Sequence, residues 1–143
     1  MPESPSIASA THEYVDHTAE VELRVRAGSL GELLAEAGRA LGGLLLRGAP
    51  ATVAGPWREI EVRAPDRAAL LVDWLNELVF RAEAEWWVGS EFDVQAATDT
   101  CVRAHVRGVP VAEAPAIVKA ATFHGLRVEE ADGRLEATVI FDV

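Results

Sequence analysis

The chain has 143 residues, a formal net charge of -10 and a single cysteine, Cys101. That length suits one domain able to bury its own core, and a 50% hydrophobic content agrees with a globular fold. One cysteine excludes an internal disulfide and a thiolate-rich zinc site, and so acidic a chain disfavours strong direct binding to a nucleic-acid backbone.

The opening Met1-Pro-Glu-Ser-Pro-Ser lacks the basic and apolar blocks of a secretory leader. Residues 1–12 read as a flexible tail and residues 13–143 as the domain. No apolar run approaches the roughly 20 residues of a bilayer span, so no membrane partner is expected. The lone thiol fits a reducing cytoplasm.

In Val21–Ala27, the residues Val21, Leu23, Val25 and Ala27 alternate with Glu22, Arg24 and Arg26, which predicts a strand with one face in water. Leu30, Leu33, Leu34, Ala37, Leu41, Leu44 and Leu45 then recur at helical spacing, opened by a capping box of Ser29 and Glu32. Gly42-Gly43 reads as an early stop. Pro50 to Pro56 reads as a loop, and Glu59–Ala64 as a strand with Ile60 and Val62 inward. A second helix is predicted from an Asp66 N-cap, with a stripe of Leu70, Leu71, Trp74, Leu75, Leu78, Ala82 and Trp86, and Gly89 as its latest end. Phe92 to Ala96 and Cys101–Arg107 are further strands, and Gly108 to Pro115 a loop. The end reads as a hairpin, Phe123–Glu130 and Arg134–Val143 around the type I′ turn pair Asp132-Gly133, with Gly125 marking a bulge. The order predicts a single-domain α+β fold, two helices packed on a largely antiparallel β-sheet with a C-terminal hairpin.

No P-loop, GxGxxG, HExxH or GxSxG signature is present, and no catalytic residue is assigned. The chemistry left over lies at the two ends of the domain: Asp16-His17-Thr18-Ala19-Glu20 before the first predicted strand, and Phe141-Asp142-Val143 at the close. Glu20 shares the parity of Glu22, away from Val21 and Leu23, and Asp142 has the parity opposite to Phe141 and Val139. If the first and last strands are neighbours, both carboxylates project from one side. Such hard oxygens suit calcium, magnesium or manganese better than zinc. On spacing alone, solvated carboxylates are the commoner case. By the same measure, His17 is more often a loop residue, His124 a satisfied core residue, Lys119 a solvated charge, and Trp74, Trp86 and Trp87 packing residues.

Taken together, these pieces resemble the archease family. Glu13-Tyr-Val-Asp-His-Thr-Ala-Glu20 is similar to its amino-terminal signature, and Gly28-Ser-Leu-Gly-Glu-Leu-Leu34 to its first helix start. Asp73-Trp-Leu-Asn-Glu-Leu-Val-Phe80 resembles its second helix, and Ser90-Glu-Phe-Asp-Val94 the strand after it. Val118-Lys-Ala-Ala-Thr-Phe-His-Gly-Leu-Arg-Val128 and Val139-Ile-Phe-Asp-Val143 match its closing segments.

The resemblance implies an accessory protein, not an enzyme, that promotes guanylylation and multiple turnover of a GTP-dependent RNA ligase in tRNA splicing or RNA repair. RNA is then met only through the ligase. It also implies a divalent cation, calcium in the family, held at the positions of Glu20, Asp142 and Val143. Lys119 matches the family's functional lysine, and Asp16, His17, Thr18 and His124 are expected beside it as contacts to the partner. The family motif ends in Asp where this chain has Glu20, which moves the carboxylate outward by one methylene. Two other classes compete: a stand-alone metal-dependent phosphoesterase using the same carboxylates with His17 or His124 as base, and a chaperone-like binding module with an exposed apolar face.

Overall fold

Among the described residues, two strands precede the first helix. In the computed structural model, which describes residues 10–17, 20–47, 52–112 and 118–143 (residues 16 and 17 by their backbone), β1 (Thr11–His17) and β2 (Glu20–Ala27) pair antiparallel. In β2 the buried Leu23, Val25 and Ala27 alternate with the exposed Arg24 and Arg26, as the period of two requires. α1 (Leu30–Leu46) starts where Ser29 Oγ accepts the Glu32 N–H at 3.2 Å, and it stops at Arg47, whose φ of 54° takes the chain out of the helix.

β3 (Ala54–Arg63) leads to α2 (Arg67–Glu85), whose N-cap Asp66 accepts the Ala69 N–H at 2.8 Å. Then come β4 (Trp87–Thr98), β5 (Cys101–Pro110), β6 (Ala120–Ala131) and β7 (Arg134–Asp142). β6 and β7 form the predicted hairpin. Asp132 and Gly133 have φ of 55° and 76°, the two positive values that a type I′ turn demands.

The strands divide into two antiparallel sheets, one ordered β1-β2-β7-β6 and the other β3-β5-β4. Each helix touches both: α1 meets β1, β2 and β7 on one side and β4 on the other, and α2 meets β6 and also β3, β4 and β5. Leu23, Val25, Leu135, Ala137, Val139 and Phe141 from the first sheet share one core with Ile60, Val102, Ala104 and Val106 from the second. Trp74 is its largest fully buried side chain; its indole N–H donates to the Leu34 carbonyl at 2.9 Å, and its ring meets Phe92 edge-on at 6.0 Å.

The α+β class, both helix starts and the hairpin follow the sequence reading. Several boundaries need correction. The single sheet is two. β1 opens at Thr11, inside the segment 1–12 read as a tail. Gly42-Gly43 does not stop α1, because both glycines lie within it and Gly42 lets α1 close on the backbone of β4 at Gly89. β3 begins within the segment read as the loop Pro50 to Pro56, β5 runs on to Pro110, and β4 is far longer than Phe92 to Ala96. Trp86 does not complete the helical stripe; it is the half-exposed C-cap of α2, with φ 53°.

A carboxylate pair at the end of the four-stranded sheet

β2 starts at the end of the sheet where β7 finishes, and the register makes Glu20 the direct antiparallel partner of Asp142. Residues directly opposite across two strands share a face, so parity and pairing put both carboxylates on the side away from the helices. The other strands finish at the same edge. β1 ends with His17 paired by its backbone to Glu20, and β6 starts with Ala120 paired to Asp142 on its far side. The backbone N–H of Lys119 donates to the Asp142 carbonyl at 2.8 Å, which carries the exposed Lys119 beside the pair. Val143 is half-buried against the core and anchors the end of β7.

Each neighbouring element has a reason to hold its place. β1 is tied to α1 through polar groups: His12 Nδ1 lies 2.6 Å from Glu36 Oε2, Arg39 Nε donates to Glu36 Oε1 at 3.0 Å, and Tyr14 O–H donates to the Ala40 carbonyl at 2.8 Å. Burial, and the Glu36 charge after it, push the Tyr14 phenol up from its ordinary value. β6 is an edge strand, and there α2 supplies what a further strand would give. Asn76 Oδ1 accepts the Ala121 N–H at 2.8 Å, and Asn76 Nδ2 donates to the Ala121 carbonyl at 3.1 Å.

Away from this edge the outer face is charge-paired. Arg24 Nε donates to Glu22 Oε2 at 2.6 Å and lies 3.6 Å from Glu13, while Arg26 meets Glu136 at 3.0 Å. The hydrogen bond that Arg24 donates to Glu22 raises the Arg24 pKa, so that cation is engaged within its own row. Arg24, Glu22, Thr138, Ile140, Arg127 and Gly125 line an open depression of about 420 Å³.

The structure thus brings Glu20, Asp142 and Val143 to one sheet edge, together with Lys119 and the backbones of Asp16 and His17. Thr18 lies outside the described residues. His124 is apart from the rest. Between the pairs Thr122–Ile140 and Arg127–Thr138, four residues of β6 face a single residue of β7, and His124 sits exposed in that bulge beside Gly125, whose φ is 70°. The bulge faces Val139, roughly 10 Å along β7 from Asp142. The reading of His124 as a core residue is therefore incorrect. Among the described residues, no three His, Cys, Asp or Glu side chains gather as a metal-holding group. The sequence reading passed over Asn76, although a half-buried amide between the core residues Leu75 and Leu78 is a signal in itself, since asparagine is a weak helix former.

Two helices between two antiparallel sheets is an α+β arrangement that other proteins share. The model of the Archease protein family (MTH1598/TM1083) matches residues 12–143. The chain belongs to the archease family. It is 34% identical over 140 residues to protein archease of Methanopyrus kandleri, covering 92% of this chain and 98% of that protein. Protein archease of Methanosarcina mazei is 26% identical, with 92% and 95% covered. The solution structure of Methanobacterium thermoautotrophicum protein 1598 superposes with a TM-score of 0.73 at 25% identity, over 92% of this chain and 98% of that one. A Thermotoga maritima archease, described as a possible chaperone, shares the fold with a TM-score of 0.63 at 20% identity, over 93% and 98%. No helix among the described residues is long and apolar enough to cross a membrane.

Proposed function

We propose that this chain is a divalent-cation-binding accessory protein that promotes guanylylation and repeated turnover of a GTP-dependent RNA ligase. The observation that supports it most is the direct opposition of Glu20 and Asp142 across β2 and β7. Like charges placed opposite each other on one face destabilise a sheet. A cation between them removes that repulsion, and two carboxylates with the oxygens of Val143 form a hard-donor set of the kind calcium, magnesium or manganese prefers. Glu20 reaches one methylene further than the Asp of the family motif, and calcium tolerates that change because its coordination is variable.

When bound, the cation supplies positive charge for phosphate oxygens. The chain's own residues do the placing. The pair stands at the open end of the sheet, able to enter the mouth of a partner's active site. Lys119, held beside Asp142 by its backbone, offers an ammonium to a phosphate or to an acidic residue of the ligase. The family resemblance makes His17 and Thr18 contacts to the ligase. RNA stays with the ligase, since a net charge of -10 opposes direct binding.

The test is ligase guanylylation and multiple-turnover ligation with Glu20→Ala and Asp142→Ala. Each is expected to lower stimulation by about tenfold or more, as for loss of groups that support a metal site, with the melting temperature preserved. Full stimulation by both folded variants would overturn the proposal. Hydrolysis of phosphoesters by the chain alone would favour a phosphoesterase instead.

A further inference from the structure

We infer that Asn76 is a positioning residue for Lys119, acting from α2 through the peptide of Ala121; the inference rests on the accessory role proposed above. Among the described residues, β6 lies at the edge of its sheet and pairs only with β7. A strand held on one side frays from its end, and Lys119 sits just before the first residue of β6. Asn76 closes that free side with two bonds, at 2.8 Å and 3.1 Å, to both polar groups of Ala121. On the other side, the Lys119 N–H bonds to the Asp142 carbonyl, and Ala120 pairs with Asp142. The segment from Lys119 to Ala121 is therefore held from both flanks, by α2 and by β7, and the lysine's origin is fixed relative to the carboxylate pair. The amide suits the task because one planar group presents an acceptor and a donor together, matching a peptide edge. Leucine at the same position keeps the bulk and favours the helix, but offers neither.

The experiment compares Asn76→Leu, Lys119→Ala and the double variant. Amide exchange at residues 119–122 is expected to quicken about tenfold in Asn76→Leu, with the centre of β7 still protected. Ligase stimulation is expected to fall in Asn76→Leu and further in Lys119→Ala, and the double variant should match Lys119→Ala alone, because a positioning residue has nothing left to position. Asn76→Asp keeps the bond from the Ala121 N–H and loses the other; it serves the same comparison if Asn76→Leu does not fold. Normal stimulation by the Asn76 variant beside an impaired Lys119→Ala would overturn the positioning role and leave the accessory role standing. A double variant worse than Lys119→Ala would overturn it too, by showing another route. Normal stimulation by Lys119→Ala would overturn both the part given to the lysine and the positioning built on it.

Discussion

Trp74→Ala is expected to destabilise the fold by about 3–5 kcal/mol, lowering the melting temperature by roughly 10–20 °C. The ring has no exposed surface and sits where α2 meets α1 and β4. Its removal forfeits the transfer free energy of a large aromatic and leaves a cavity that its neighbours fill only in part. Two contacts give the side chain more than area. The indole N–H is satisfied by the Leu34 carbonyl, and the edge-on meeting with Phe92 is the favoured geometry for aromatic pairs. Trp74→Phe keeps most of the volume without the N–H donor, and should cost clearly less than Trp74→Ala. Thermal denaturation followed by circular dichroism, with a wild-type control, checks both.

The second large effect is at Gly42. A Cβ added there would stand 2.6 Å from the Gly89 carbonyl oxygen, a backbone atom in β4 that cannot swing aside. Alanine in place of glycine normally strengthens a helix by about 1 kcal/mol. Here the clash outweighs it, because α1 must move off β4 or β4 must bend, and overpacking of this kind costs about 1–3 kcal/mol. Gly38→Ala is the contrasting case. Its added Cβ would lie 2.7 Å from the half-buried Phe92 ring, a side chain and not a backbone atom, so a smaller loss is expected. Chemical denaturation should rank the two with Gly42→Ala the less stable; the reverse order would show that α1 and β4 are not locked through their backbones.

These two sites mark where the sequence was readable and where it was not. Ser29 and Asp66 announce their helices because a cap is a local event, and Asp132-Gly133 and Gly125 announce a turn and a bulge for the same reason. Gly42 misleads, because in sequence a helix-ending glycine and a close-packing glycine look alike. β1 escaped because its inward residues His12 and Tyr14 are polar and find their partners in Glu36 and the Ala40 carbonyl, so no apolar alternation appears. The division into two sheets depends on pairings between distant segments, on which local pattern is silent.

The candidate site is legible to the same degree. Parity alone gives Glu20 and Asp142 a common face once their strands are neighbours. That they stand directly opposite, with Lys119 tied to Asp142 and Asn76 bracing Ala121, depends on the order β2-β7-β6 and the packing of α2. Val143 and Lys119 joined the proposed site through the family likeness and not through parity.

Cation binding by the Glu20–Asp142 pair is tested by titrating calcium into the metal-free protein by calorimetry, alongside Asp142→Asn, which keeps the side chain's shape and removes its charge. A saturable heat in the parent, with affinity reduced about tenfold or more in the variant, is the predicted result. Equal affinity in the two proteins would contradict it.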